Sequence, residues 1–200
     1  MKNLKNRYFL LRHGESLVNV KELCSCWPEI IYSPLTCKGV SQVKKTVEKL
    51  QSKHIDLIFS SDILRTKQTA QITAKALGLK IKFDKRLRDI GLGIFNGKSI
   101  KEAGKFWAVE NKKLSALEYY KRRFTIKSPK GENYNGVERR LSSFIKETEK
   151  QYQGKNILLV GHKRPFTLFE KIILNLSVKK FVEEIVQKKE MENAELREIK

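Results

Sequence analysis

The chain has no long apolar run: nothing in its 200 residues approaches the roughly 20 consecutive apolar residues that cross a bilayer. Near the N-terminus only Tyr8-Phe9-Leu10-Leu11 is apolar. That is shorter than the core of about 7–15 residues in a secretory signal. With 4 prolines and 11 glycines it carries no collagen-like or low-complexity tract. Cysteine is scarce as well: Cys24, Cys26 and Cys37 fall in one stretch expected to be loop-like. An odd count without a secretory signal does not make a disulfide framework, and it fits a reducing cytoplasm. A zinc site would need a fourth ligand at suitable spacing, and no histidine lies nearby in sequence.

Acidic residues are also few, with 22 Asp+Glu against 42 Lys+Arg and a formal charge of +20. The lysines are scattered, in pairs such as Lys44-Lys45, Lys112-Lys113, Lys179-Lys180 and Lys188-Lys189. Scattered lysine reads first as a solvated surface and only second as attraction to an anionic partner. The localised basic stripe with interleaved aromatics that marks a nucleic-acid module is missing, so nucleic acid is not an expected partner. Hydrophobic residues at 40% and aromatics at 9% suffice for a globular core. The length favours one domain, residues 1–200.

Along the chain, strand and helix patterns alternate, which predicts an α/β fold. Short apolar runs at Tyr8–Leu11, Leu57–Phe59, Ile81–Phe83 and Ile157–Val160 read as buried strands, and Ala194–Ile199 as a short edge strand. Helical spacing joins Val40, Val43, Val47 and Leu50 after Gly39, and runs from Ile63 to Leu77 with Ser61-Asp62 as caps and Gly78 as the stop. Val137, Leu141, Phe144, Ile145 and Thr148 mark a longer helix ending near Gly154, and Pro165 suits the first turn of another. The stretch 98–135 is less regular and reads as short helices in a lid-like excursion, carrying Trp107, Tyr119, Tyr120 and Phe124 as packing residues. His54, in a polar stretch, reads as a surface residue.

Two of the three histidines follow such runs: His13 after Tyr8–Leu11 and Arg12, and His162 after Ile157–Val160 and Gly161. If the runs are parallel strands of one sheet, both imidazoles emerge at its carboxyl edge, where open α/β sheets bind ligands. Arg65, shortly after Leu57–Phe59, is placed to join them. Arginine forks match phosphate oxygens, and a neutral imidazole is a competent nucleophile for phosphorus. A second imidazole would stabilise charge on the transferring group, and a nearby carboxylic acid would protonate the leaving oxygen. With charge supplied by side chains, the scheme needs no metal or cofactor.

Leu11-Arg12-His13-Gly14-Glu15-Ser16 with Asn19 resembles the signature of the histidine phosphatase superfamily, the phosphoglycerate-mutase-like proteins. Further ordered segments are similar: Ser33-Pro34-Leu35-Thr36 with Gly39 and Gln42, Ser60 to Ala70 around Arg65, Arg86 to Ile90 through Gly97, Gly131-Glu132-Asn133 with Val137 and Arg139, and Val160-Gly161-His162. The resemblance implies a three-layer α/β/α sandwich with a mainly parallel central sheet. It implies a phosphohistidine on His13, a phosphate pocket lined by Arg12, Asn19, Arg65 and His162, and Asp89 as the general acid. The implied activity is hydrolysis of a small phosphomonoester by a cytoplasmic enzyme, with no membrane partner.

The match departs from the family at three places. Relatives closest to this pattern carry glutamate where Asp89 stands; a charge partner for Arg86 or Arg88 is the competing reading, with Glu102 and Glu132 as other acids. Lys163-Arg164-Pro165 replaces a small glycine-containing step, either as extra cations at the pocket or as a solvent-facing helix start. Arg122-Arg123 is similar to the arginine pair that holds a substrate carboxylate in phosphoglycerate mutases, yet the insertion that normally follows is missing, which favours the phosphatase branch. A cofactor-dependent phosphoglycerate mutase and a non-catalytic phosphate or polyanion binder are the alternatives.

Overall fold

The computed structural model describes residues 4–108, 114–186 and 191–199. Residues 109–113, inside the excursion expected over 98–135, lie outside the described residues, as do the lysine pairs at 112–113 and 188–189. Four of the expected strands form with one residue or fewer added at each end: β1 Arg7–Arg12, β2 Leu57–Ser60, β3 Ile81–Phe83 and β4 Asn156–Gly161. The C-terminal run gives β5 Leu196–Ile199. The sheet order is β3-β2-β4-β1-β5, parallel except for β5, which pairs antiparallel with β1 at the edge.

The central strands read as unbroken apolar runs because both of their faces are covered. Period-two alternation divides them between layers. Tyr8, Leu10, Ile157 and Leu159 pack with Leu141, Phe144 and Ile145 of α6 (Tyr134–Gln151) and with Phe166 and Phe169 of α7 (Lys163–Ile173). Phe9, Leu11, Leu158 and Val160 face Leu50 of α2 (Cys37–Leu50) and Ala70 and Ala74 of α3 (Leu64–Leu77). Each fully buried Leu or Phe side chain contributes about 1.5–3 kcal/mol. The result is the α/β/α sandwich with a mainly parallel sheet. The remaining helices are α1 (Leu17–Val20), α4 (Ile100–Trp107), α5 (Ala116–Thr125) and α8 (Val178–Phe181). Among the described residues, no helix is long and apolar enough to cross a membrane.

Local chemistry sets the helix ends, in places differently from the sequence expectation. The Thr36 hydroxyl accepts from Gly39 N and starts α2, so Gly39 lies inside its first turn and Cys37 opens the helix instead of lying in a loop. The start of α3 is not capped by Ser61 or Asp62: Ile63 occupies the cap position, and Leu64 N donates to the Glu29 carboxylate at 3.0 and 3.1 Å. Asp62 is engaged elsewhere, bound by the Arg88 guanidinium at 2.5 Å. Gly78, with φ 66°, ends α3 in the left-handed conformation that glycine adopts without strain. His54 is exposed, as its polar surroundings predict.

Candidate active site

The register of β1 on β4 pairs Arg12 with Gly161, so the next residues along each strand, His13 and His162, emerge side by side at the carboxyl edge. His13 N donates to Gly161 O at 3.0 Å and extends the ladder by one bond. The two rings meet edge to face with centroids 5.4 Å apart. Both side chains are buried, at 3% and 0% exposure.

Hydrogen bonds assign the proton on each ring. Nδ1 of His13 lies 2.8 Å from the Gly14 carbonyl, an acceptor only, so Nδ1 carries the hydrogen. Nε2 of His13 therefore presents its lone pair, and Arg65 Nε donates to it at 3.1 Å. In His162 the Arg65 Nη2 lies 3.3 Å from Nδ1, leaving the hydrogen on Nε2, 3.0 Å from Ser61 Oγ. Burial, then Arg65, His162 and Arg12, push the His13 pKa well below 6.5, with the Gly14 carbonyl opposing. Burial, then Arg65, Arg140 and Arg12, do the same to His162. Both imidazoles are neutral at pH 7.

Arg65 stands in the first turn of α3, only 2% exposed, and joins the site together. Beyond the two histidines it donates to Ser25 Oγ at 3.2 Å and Ser25 O at 3.0 Å, and its Nη2 lies 3.6 Å from Asp89 Oδ2. Asp89 Oδ2 is also 3.8 Å from His162 Nδ1. The competing reading of Asp89 fails, because Arg86 pairs with Asp84 and Glu147, and Arg88 with Asp62. Glu102 is exposed beside Lys98, and Glu132 pairs with Arg140, so neither alternative acid lines the cleft. Arg140 also donates to the Asp89 carbonyl at 3.3 Å and holds the loop that carries Asp89.

A cleft of about 260 Å³ opens in front of these groups, lined by Arg12, His13, Asn19, Ser25 and Asp89. Arg12 donates through Nη1 to Met191 O at 2.7 Å, and Asn19 Oδ1 accepts from Ser16 N at 3.0 Å. All six expected site residues are thus brought to one place. The irregular stretch supplies the opposite wall through Ile100, Ala103, Gly104, Trp107, Tyr119 and Arg123. Lys163 and Arg164 line the cleft as well, which favours extra cations at the pocket over a solvent-facing helix start.

The arginine pair divides. Arg123 is 2% exposed and lies 4.0 Å over the Trp107 ring, and its Nε and Nη2 have no hydrogen-bond partner among the described residues. Arg122 does not line the cleft. Gly14 and Gly161 turn out to answer packing. A Cβ on Gly14 would stand 2.5 Å from Gly39 O, and one on Gly161 2.7 Å from the Phe166 ring.

Three contributors went unread as site residues. Ser61 immediately follows β2 as the histidines follow their strands, a positional signal that could have found it. Ser25 sits between Cys24 and Cys26 with nothing to mark it. Asn193, whose Nδ2 donates to His13 O at 3.2 Å, reaches the site only through the antiparallel return of β5. Among the described residues no group of three or more His, Cys, Asp and Glu side chains could hold a metal ion.

A neutral imidazole whose Nε2 lone pair faces a buried guanidinium, a second imidazole and a carboxyl stand together at the cleft. The chain belongs to the histidine phosphatase superfamily (branch 1), whose family model matches residues 8–199. Among curated relatives it is 32% identical over 160 residues to a probable phosphoglycerate mutase GpmB of Salmonella arizonae, 77% of this chain and 68% of that protein. Other Salmonella GpmB sequences align over 92 residues at 40% identity, 41% of their own length. Bacillus stearothermophilus YhfR superposes with a TM-score of 0.80 at 22% identity, over 98% of this chain and 91% of that one. A mycobacterial glucosyl-3-phosphoglycerate phosphatase superposes at 0.77 and 22% identity, over 96% and 88%. These structural likenesses show the shared fold.

Proposed function

We propose that the chain is a metal-independent phosphomonoesterase that hydrolyses small phosphorylated metabolites through a phosphohistidine on Nε2 of His13. The observation that carries this reading is the bridging of both imidazoles by one guanidinium, Arg65 Nε to His13 at 3.1 Å and Nη2 to His162 at 3.3 Å, beside Asp89. A phosphoryl group with about two negative charges would take the place of these internal contacts, with Arg12, Arg65 and Asn19 donating to its oxygens and His162 lining the pocket behind Arg65. The Nε2 lone pair then forms the N–P bond as the ester P–O bond breaks. Protonated Asp89 gives its proton to the leaving oxygen. Water next attacks phosphorus, losing a proton to the Asp89 carboxylate while the N–P bond breaks, and phosphate and neutral His13 are restored. Arg65, which His162 Nδ1 accepts from at 3.3 Å, stabilises the charge that builds on the equatorial oxygens.

Within this reading residues 1–200 act as one domain, and α4 and α5, within 98–135, serve as the lid over the cleft. The free thiols at Cys24, Cys26 and Cys37 fit a reducing compartment, and a cytoplasmic enzyme is part of the proposal.

The test is rapid quench of the protein with an aryl phosphate, followed by intact-mass and peptide analysis. An acid-labile phosphoryl group on His13, absent in His13→Ala, is the expected result. A folded sample with neither adduct nor phosphate release would favour a non-catalytic phosphate or polyanion binder instead. Arg123, buried with unpaired donors in the cleft, favours one second reading, a cofactor-dependent phosphoglycerate mutase that holds a substrate carboxylate there. Product analysis with 3-phosphoglycerate separates the two, by released phosphate or by the 2-isomer.

A further inference from the structure

Behind the first turn of α7 lies a second cavity of about 130 Å³, and Tyr119, Lys163 and Arg164 line both it and the catalytic cleft. The two cavities adjoin at the start of α7. The second chamber is walled by the tyrosines Tyr119, Tyr120 and Tyr134 and by cations, and among the described residues no carboxylate lines it. Asp89 is the one described carboxylate lining the first chamber.

The cations differ in what they already hold. Arg197 is bound by Glu195 at 2.6 Å and Glu170 at 3.4 Å. Arg164 is half-buried and makes no hydrogen bond or ion pair with a described residue; its electrostatic neighbours are Asp89 and the phenols of Tyr134, Tyr119 and Tyr120. Its part-exposed guanidinium has five donors and no hydrogen-bond acceptor among the described residues, so an anion entering the cavity can take them as charge-assisted bonds. The chamber volume equals about four water molecules at roughly 30 Å³ each, room for a carboxylate or a phosphate. Asp89, the proposed acid, marks the side on which the leaving group departs, and Arg164 stands on that side.

We propose that this chamber is the leaving-group subsite and that it takes a second anionic group of the substrate, seated by the Arg164 guanidinium at the junction of the two chambers. The proposal rests on the phosphatase reading above and narrows its substrates to phosphomonoesters that carry another carboxylate or phosphate a few bonds from the scissile oxygen.

Two matched pairs of probes test it: 3-phosphoglycerate against glycerol 3-phosphate, and 1,3-propanediol bisphosphate against its monophosphate, with 4-nitrophenyl phosphate as reference. The wild type is expected to prefer the doubly anionic member of at least one pair by about 10- to 100-fold in kcat/KM, the range of a charge-assisted hydrogen bond. Arg164→Gln should bring that ratio towards one, whereas Arg123→Gln should leave most of it. A wild-type ratio near one in both pairs overturns the proposal. So does a ratio that survives Arg164→Gln and collapses in Arg123→Gln, which would seat the anion at the other wall. If Arg164→Gln loses its near-ultraviolet dichroism, Arg164→Lys replaces it; the lost fork should lower the same ratio, and an unchanged ratio overturns the assignment. No turnover of any probe together with no phosphohistidine would sink the phosphatase reading instead. Calorimetric affinities for the first pair, in wild type and Arg164→Gln, would then decide the subsite on the same ratio.

Discussion

The Nε–H of Arg65 points at Nε2 of His13 from 3.1 Å, so the cation rests on the lone pair proposed to attack phosphorus. Without substrate the contact keeps the imidazole neutral and oriented. When a phosphoryl group enters, the same donor has an oxygen to bind and releases the lone pair. A lysine could supply the charge but not a rigid fork that reaches His13, His162 and Ser25 together. Arg65→Lys is expected to lower kcat/KM for an aryl phosphate by on the order of 100- to 1000-fold, as loss of an oxyanion donor does. A decrease below tenfold in steady-state assays would show that charge alone suffices.

The buried histidines also tie stability to pH. In the unfolded chain each imidazole takes up a proton around pH 6.5, whereas in the fold burial and Arg65 keep both neutral well below that value. Below pH 6.5 the unfolded state therefore binds more protons, so stability rises with pH through this window and falls as acid is added. Each histidine contributes a slope of up to about 1.4 kcal/mol per pH unit. Urea midpoints at pH 7.5, 6.5 and 5.5 should show a steeper acid loss in the wild type than in His13→Gln. Parallel losses would mean that His13 becomes charged within the fold.

What the sequence disclosed follows the range of the interactions involved. Strands buried on both faces must be apolar throughout, so β1 and β4 stand out as runs, and the residues just past them, His13 and His162, can be assigned to one edge. Arg65 follows from its distance to β2. Contacts made across long separations leave no such trace: Glu29 caps α3 from 35 residues away, and Asn193 holds the His13 carbonyl from 180. The partners of Asp89 were open for the same reason. Arg86 and Arg88 are its neighbours in sequence, but their acceptors are Asp84, Glu147 and Asp62, and only the folded loop turns Asp89 towards Arg65.

Asp89 is shorter by one methylene than the glutamate usual in its position, yet its Oδ2 lies within 3.8 Å of His162 Nδ1. The loop is tied by Arg140 to the Asp89 carbonyl and by Glu132 N to Gly91 O at 2.7 Å. An acid matters most when the leaving oxygen is a strong base. Asp89→Asn is expected to slow an alkyl phosphate by about 100-fold or more and 4-nitrophenyl phosphate by less than about tenfold. Equal losses on the two substrates would remove Asp89 from the acid role.

The turn that carries His13 is pressed against the start of α2 so closely that two glycines share the contact. A Cβ on Gly39 would lie 2.0 Å from Glu15 O and 2.8 Å from Glu15 N, both backbone atoms that cannot swing aside. Gly39→Ala must push α2 away from the Gly14-Glu15 turn, at a cost of about 1–3 kcal/mol. For a chain of this size that is roughly 2–4 °C in Tm per kcal/mol. Displacement of the turn should also reduce phosphatase turnover, since His13 is its neighbour. Gly104, inside α4, has nothing within 4 Å of its would-be Cβ, so Gly104→Ala should raise Tm by reducing the freedom of the unfolded chain, a gain of about 0.4–1 kcal/mol. Thermal melts of the two variants side by side should move in opposite directions. A Gly39→Ala protein as stable as the wild type would mean that the helix start and the turn are not in rigid contact.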